Sequence, residues 1–405
     1  MTRARAESAT VAHARAGSTA AVKRVLVAHQ STIPHYRVDF YRQVERLRPR
    51  WWEFRVVYSA AEARRQRFRA IDPAAQPFPI LRTGGLSLRF GGRRLVLQGF
   101  PLRAGAYDLL VVGDELRNLS YPLSHLWALA GKPVARWGHG RDTDALAAGL
   151  PKRLAEAAKH GLQRRASGFF AYTPRVRDDL AARGVPVERI FVLHNTIDIE
   201  SERARYLARA ANRERLRRRI GAGGDRILVF VGRHTPARRA QFLAEAFTRL
   251  RREHSDLRLL AVGDGHRSWI EALRRSACAD GIHDCGSLYD DALADVLVAS
   301  DLYVAPGLVG LGPVQALCYD LVPVVVDLPR QKPEYEYLSA ANAVICAADA
   351  TPEDYARAID DQLTRPQALD QRRLAAWPSI RHLTIDRMAE SFVDGVSRLL
   401  GEPSR

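Results

Sequence analysis

The chain reads as an α/β protein of two doubly wound, Rossmann-like domains that face each other across a cleft. Three observations carry this. The length of 405 residues is too great for one ordinary core and natural for two. Short, β-branched apolar runs alternate with helix-like segments, as expected of parallel strands buried on both faces. The alternation occurs twice, on either side of an Arg-rich stretch at 201–224 that ends in Gly221, Gly223 and Gly224.

The elements follow in chain order. Residues 1–22 are rich in Ala, Ser, Thr and Arg without a period, and read as a disordered tail. The same Arg-bearing, acid-poor composition is that of a transit peptide. The first domain is expected over 23–200. Its strands are VLVAH after Lys23 and Arg24, WEFRVVYS at 52–59, YDLLVVGD at 107–114, KPVARWGH at 132–139, GFFAYT at 168–173 and ERIFVLHN at 188–195. Helical patterns lie at 151–166 and 174–183. The stretch 201–224 is Arg-rich and helical in composition, and is taken as the linker. The second domain, over 225–382, restarts the pattern with DRILVFVG at 225–232, LRLLAVGDG at 257–265, DLYVAP at 301–306 and VPVVVD at 322–327. Between the first two of these, Phe242, Leu243, Ala246, Phe247 and Leu250 share one helical face. Ligands of such sheets bind beyond the carboxyl ends of the strands, so two facing domains make a cleft.

Composition narrows the class. With 47% hydrophobic and 26% charged residues, the balance is that of a soluble globular protein. No apolar run approaches the ~18–20 residues of a membrane span, and the N-terminus lacks a secretory h-region. Cys278, Cys285, Cys318 and Cys346 form no CxxC pair and no zinc-type spacing, which fits a reducing, cytoplasmic location. Cys318 and Cys346 read as small core residues. The charge is uneven. Residues 1–200 hold 33 Lys+Arg against 17 Asp+Glu (33 − 17 = +16), and residues 201–405 hold 29 against 28 (+1). A basic first half favours an anionic partner: a phospholipid surface, a phosphorylated substrate or nucleic acid. A genome that uses Arg freely gives the same excess. No nucleic-acid module signature is present, so nucleic acid is not an expected partner.

Five segments carry candidate chemistry. VGRHTPARRA at 231–240 is a turn after a strand with Gly232, Arg233 and Arg238. AVGDGHRSWIEAL at 261–273 is a Gly-rich strand-to-helix turn, weak by itself. ASDLYVAPGLVGLGPVQALCYDLVPVVVD at 299–327 contains Gly310-Leu311 at a helix start, where N–H groups and the helix dipole attract phosphate. In the first half, HQSTIPHYRVDFYRQV at 29–44 follows the first strand and offers His35, Tyr36 and Arg37. RWGHGRDTD at 136–144 places His139 between two glycines at a strand end, with Arg141 nearby. The alternatives for these are a solvated basic turn, a helix start with Tyr36 packed inward, and a structural histidine.

Taken in order, the second-half segments resemble the family-four retaining glycosyltransferases of the GT-B fold, from about Ile227 to Pro333, with a weaker likeness over most of the chain after Lys23. The first segment is similar to the family's G-R-x-x-P-x-K-G turn, with Arg238 where Lys is usual and Arg239 where Gly is usual. The third is similar to the block that holds the E-x7-E pair. Here those two acids fall on Gly307 and Gln315, and Asp320 replaces a Gly. The chain therefore looks like a divergent branch without the acidic pair. The resemblance implies a nucleoside-diphosphate sugar donor, retention of configuration and no metal or cofactor. It implies that Arg233 and Arg238 stabilise the leaving diphosphate and that Gln315 meets the ribose. Gly232, Gly310 and Leu311 line the donor site, and His139 lies near the reacting carbon. Glu334 lies where an acid approaches the donor sugar, or serves as a helix N-terminal carboxylate. His35, Tyr36, Arg37 and Arg141 would face the acceptor, with Arg37 meeting a phosphate. Asn195 and Asp198 in VLHNTIDIE match the segment that ends the first domain and read as hinge residues. The stretch 383–405 would be the helix that returns to the first domain. DELRNLS at 114–120 would line the acceptor pocket. The acceptor is a glycan, a lipid-linked molecule or a metabolite. The rivals are a GT-B epimerase or phosphorylase and a catalytically weak assembly subunit. The basic helix 151–165, with Leu154, Ala158 and Leu162 on one face, is either an ordinary surface helix or a peripheral contact with the inner face of the plasma membrane.

Overall fold

The structure, a computed structural model, describes residues 21–30, 32–59, 69, 71–90, 93–100, 105–141, 149–233, 235–264, 271 and 279–401. Each apolar run named above becomes a parallel strand. The first domain holds β1 (Lys23–Ala28), β2 (Trp52–Tyr58), β3 (Ile80–Arg82), β4 (Gly85–Phe90), β5 (Arg93–Gln98), β6 (Leu109–Gly113), β7 (Val134–Gly138), β8 (Gly168–Ala171) and β9 (Ile190–Val192). Seven of these form one all-parallel sheet in the order β3-β2-β1-β6-β7-β8-β9, and β4 and β5 form a separate antiparallel hairpin. Every residue of β6, β7 and β8 is buried, because helices cover both faces of the sheet. These helices are α1 (Val38–Leu47), α2 (Ser120–Ser124), α3 (Leu126–Leu129), α4 (Leu150–Arg165) and α5 (Pro174–Ala182).

The second sheet is β10 (Arg226–Val231), β11 (Leu257–Val262), β12 (Ile282–Gly286), β13 (Leu302–Ala305), β14 (Val322–Val326) and β15 (Val344–Cys346), in the order β12-β11-β10-β13-β14-β15, again all parallel. Both sheets reverse strand order beside their first strand, which is where doubly wound folds open a ligand crevice.

The stretch 201–224, expected as a linker of helical composition, is largely helical and packs on the second domain. It forms most of α6 (Ile199–Arg209) and all of α7 (Arg213–Arg219). Ile199, Leu216 and Ala222 are buried in the core of the second domain. Its arginines bind that domain: Arg213 and Arg217 both reach Asp301 at 2.6 Å, and Arg203 reaches Asp320 at 2.7 Å. The helices α8 (Ala240–Glu253), α9 (Asp290–Ala299), α10 (Gly312–Cys318), α11 (Pro352–Thr364) and α12 (Pro366–Ile380) complete the second domain. The face of α8 read from its periodicity is the buried one. The last helix, α13 (Ile385–Leu400), crosses back and buries Met388, Phe392 and Val396 in the first domain. The Phe392 ring lies 5.4 Å from Phe40, 5.4 Å from Trp137 and 4.8 Å from Phe170.

Cys318 is fully buried, whereas Cys346 is only half-buried at the edge of a core. Among the described residues no helix is long and apolar enough to cross a membrane. On α4 the side chains of Leu154 and Ala158 face solvent and Leu162 is half-buried. Gln163 anchors the helix by donating to Asp114 at 2.8 Å.

Candidate active site

The carboxyl ends of the two sheets face each other, and each wall is built from the residues that follow the strands. On the first wall, β1 runs into His29, whose buried ring stacks on Trp137 at 3.9 Å and lies 3.0 Å from the Tyr172 hydroxyl. Burial, then Arg37 and His139, hold the His29 pKa well below the usual histidine value, so the ring is neutral at pH 7. His139, after β7, sits with its ring edge against Tyr172 at 4.5 Å. Desolvation by the surrounding walls, then Lys332, Lys159 and Arg37, lower its pKa. Its side chain keeps contact with solvent, so the direction is what counts: a neutral imidazole facing the cleft.

The loop after β1 places its residues differently from the sequence reading. His35 is half-buried and meets Tyr289 of the other domain, ring to ring, at 5.1 Å. Tyr36 packs edge-on against His35 at 5.6 Å. Arg37 is turned inward and is 1% exposed. Its guanidinium donates to Asn195 Oδ1 at 2.7 Å and to Met388 Sδ at 3.3 Å. It is therefore no open acceptor-side cation. The Asn195 amide in turn donates to Glu334, so Arg37, Asn195 and Glu334 form a buried polar chain from one domain to the other. Burial raises the Glu334 pKa, while its backbone hydrogen bond, Asn195, Arg37 and Lys332 oppose the rise. Arg141 is exposed and pairs with Asp179 at 3.6 Å. Asp114, which opens DELRNLS, is spent in a fully buried ion pair with Arg136 at 2.8 Å and does not line an acceptor pocket.

On the second wall, β10 ends at Gly232, whose φ of 146° favours glycine. A Cβ there would lie 3.6 Å from the Arg238 guanidinium. Arg238 sits in the one-turn helix Pro236–Arg238, packed beside Gly232, and its side chain donates to the Leu308 carbonyl. Arg233, exposed at the same strand end, contributes a second positive charge. Gly307 is a site of close approach: a Cβ would fall 2.4 Å from the Ala237 carbonyl oxygen and 2.4 Å from Arg238 Cα. The loop is fixed further by Gln331, which accepts from Val309 N at 2.9 Å and donates to the Gly307 carbonyl at 3.2 Å. Gly310 and Leu311 stand immediately before α10. Gln315, on α10, donates to Glu202 at 3.0 Å, and the same carboxylate accepts from Tyr319 at 2.9 Å. A carboxylate thus does stand beside Gln315, but it comes from α6.

Glu202, Tyr172, His29 and Lys332 were not singled out in the sequence. Tyr172 and His29 share the strand-end position that marked His139. Nothing in the sequence connects Glu202 with Gln315. Of the Gly-rich turn 261–273, residues 265–270, 272 and 273 lie outside the described residues. Among the described residues one trio, Glu253, His254 and Asp360, has ligand atoms close enough to share a metal ion. It lies at the end of α8 away from the cleft, and His254 is bonded to Asp360 at 2.6 Å.

Two domains of this geometry recur in known proteins. Residues 225–365 match the family model of the glycosyl transferases group 1. A curated relative, the alpha-D-kanosaminyltransferase of Streptomyces kanamyceticus, is 27% identical over 158 residues, which are 39% of this chain and 35% of that protein. Among solved structures, Anabaena HepE in complex with UDP and glucose has a TM-score of 0.67 at 13% identity, covering 93% of this chain and all of that one. Sucrose-phosphate synthase from Thermosynechococcus elongatus has a TM-score of 0.69 at 12% identity, covering 94% of this chain and all of the other. The fold of the chain is GT-B, and its second domain is similar over most of its length to the group 1 glycosyl transferases.

Proposed function

We propose that this chain is a glycosyltransferase that moves a sugar from a nucleoside-diphosphate sugar to an acceptor hydroxyl, with retention of configuration and without a metal. The observation that carries the reading is the placement of Arg238. The φ of Gly232, the missing side chain of Gly307 and the Leu308 carbonyl hold it at the carboxyl end of β10, beside Arg233. Two cations there, Arg238 held by the Leu308 carbonyl and Arg233 beside it, suit a diphosphate leaving group. As the bond from the anomeric carbon to the phosphate oxygen breaks, negative charge collects on that oxygen, and a preorganised guanidinium stabilises it without reorganisation. The acceptor oxygen bonds to the same face of the anomeric carbon, and its proton passes to the departing phosphate. No protein base is then required. This suits a first wall whose histidines, His29 and His139, are held neutral and serve as hydrogen-bonding groups.

Gln315 and Glu202 together offer an amide and a carboxylate to ribose hydroxyls, in place of the acidic residue usual at 315. Glu334 is assigned to the donor-sugar side, where its carboxylate is already tied to Asn195. HepE is described in complex with UDP, which makes uridine diphosphate the first base to try. The acceptor is a glycan, a lipid-linked molecule or a small metabolite, and the reaction is assigned to the cytoplasm.

The test is a thermal-shift series with UDP, GDP, dTDP and ADP, each with and without magnesium. A diphosphate at ~100 times its Kd adds about 2.7 kcal/mol of stability. A shift with one base that is indifferent to magnesium supports the donor site. No shift with any of them favours a non-catalytic assembly subunit on the same fold.

A further inference from the structure

Gln315 lies on α10, whose start is pressed against the end of β10. A Cβ at Gly312 would collide with the Tyr303 hydroxyl, and that hydroxyl donates to the Val231 carbonyl at 3.1 Å. Val231 directly precedes Gly232 and Arg233, where the leaving diphosphate is assigned. Gln315 follows Gly312 within one helical turn, roughly 5 Å along the axis. In a nucleotide sugar the group bonded to the diphosphate on the side away from the transferred sugar is the ribose, with its vicinal hydroxyls. A polar side chain one turn beyond the diphosphate cations is therefore placed for those hydroxyls.

Which atom of the amide meets them is fixed by its neighbours. A glutamine offers an NH2 donor and a carbonyl acceptor, and hydrogen bonding tells the two apart. The Gln315 amide nitrogen donates to Glu202 Oε2 at 3.0 Å, and the Tyr319 hydroxyl donates to the same oxygen at 2.9 Å. Arg205 donates to the other oxygen of Glu202 at 2.8 Å. Glu202 is thus an acceptor toward every neighbour, and only the NH2 of Gln315 can face it. The Gln315 carbonyl oxygen is turned the other way. Among the described residues it accepts no hydrogen bond, and it is not sealed from solvent. An acceptor left open at that place suits a hydroxyl donor.

We infer that Glu202 is a positioning residue that keeps the Gln315 carbonyl oxygen toward a ribose hydroxyl, and that the site thereby selects ribonucleotide over deoxyribonucleotide donors. This rests on the donor reading above and deepens it. A carboxylate at 315 would need no such neighbour, because both of its oxygens accept. An amide accepts through one oxygen, so a partner that fixes its orientation is what lets it serve. A site built to bond a hydroxyl rejects the analogue that lacks it, because its own polar group is left unpaired.

The experiment titrates the full chain by calorimetry with UDP, GDP and ADP, each beside its 2′-deoxy and 3′-deoxy forms. For the base that binds, at least one deoxy form is expected to bind about tenfold or more weakly than the parent. In Glu202→Gln the neighbour can both donate and accept, the amide at 315 is free to turn over, and this preference should fall about threefold or more. Gln315→Glu alone sets two carboxylates face to face and should weaken binding of the parent nucleotide. Adding Glu202→Gln to it restores one acid beside one amide and should bring the preference back, which a merely structural role for Glu202 would not do. Should Glu202→Gln fail to fold by circular dichroism, Gln315→Leu removes the acceptor oxygen and should bring the ratio of parent to deoxy binding close to one. Equal binding of the parent and both deoxy forms by wild type would overturn the inference and leave the donor reading standing. So would a preference unchanged in either folded single variant, Glu202→Gln or Gln315→Leu, or not recovered in the folded double variant. No binding of any of these diphosphates by wild type would overturn the donor reading, and the inference with it.

Discussion

Arg239 and Asp320 adopt left-handed backbone, with φ of 55° and 53°. Both stand where the resemblance expects glycine, so the turns have kept their shape while the side chains changed. A non-glycine residue there costs roughly 1–2 kcal/mol. Each is offset locally: the Arg239 guanidinium lies 3.9 Å over the Phe242 ring, and Asp320 binds Arg203. Gly307 is the converse. At this position, where the resemblance expects a carboxylate, the backbone of Ala237 and Arg238 occupies the space a side chain would fill. A side chain at 307 would therefore collide with this loop, so an acid placed there should not reach a sugar. Gly307→Ala is expected to cost about 1–3 kcal/mol by overpacking and to weaken donor binding by displacing Arg238. A urea titration and a nucleotide titration on the same variant check both. The candidate positions legible in the sequence were turns at strand ends, and Arg238 and His139 do lie at the carboxyl ends of β10 and β7. Arg37 misled because residue type says nothing about which way a side chain faces, and this guanidinium turned into the core. Glu202 was illegible because it meets Gln315 across 113 positions of sequence.

At the scale of elements, the strands were legible because β-branched runs flanked by polar residues have few other uses in a chain of this class. The packing of the stretch 201–224 on the second domain was not. Its arginines look like solvent-facing charge, yet many of them bind backbone carbonyls and carboxylates of the second domain. Its buried anchors, Leu216 and Ala222, are too sparse to mark an amphipathic face. The hairpin β4–β5 also escaped notice, since its leucine alternation is short and points outward. Helix α13 is the clearest element-scale dependence: a C-terminal segment fills the core of the N-terminal domain. Gly395 allows its approach, since a Cβ there would meet Phe170 at 2.6 Å. Phe392→Ala removes a ring that touches three other aromatic residues and should cost about 3–5 kcal/mol. Chemical denaturation should show the loss, and the first domain should be the part exposed to proteolysis.

Across the whole molecule, histidine burial gives a common response to acid. His29, His35, His125, His139, His160, His194 and His382 all have lowered pKa values, each mainly through desolvation. For such groups the unfolded chain takes up protons as pH falls through about 6.5, while the folded chain does not. Stability therefore falls with pH in that window and is flat above it. Melting temperatures should drop from pH 7 to pH 5, and a rise would contradict the assignment of neutral rings. Among the described residues the two domains touch through the Arg37–Asn195–Glu334 chain, the Tyr337 hydroxyl on the Asn195 carbonyl at 3.3 Å, the Glu336 carboxylate on the Arg175 amide at 3.1 Å, Arg69 with Asp290 and over the Tyr289 ring, and Tyr289 on His35. In the proposed reaction donor phosphates and acceptor meet between these contacts, so the account depends most on the cation held at the end of β10. The most direct measurement is release of nucleoside diphosphate from the nucleotide sugar that wild type accepts, compared with Arg238→Ala. Removing a charge that stabilises the leaving group should lower kcat/KM by about 100-fold or more, with the variant still folded by circular dichroism. Wild-type rates in folded Arg238→Ala would contradict the placement of the donor diphosphate, and with it the proposed reaction at this site.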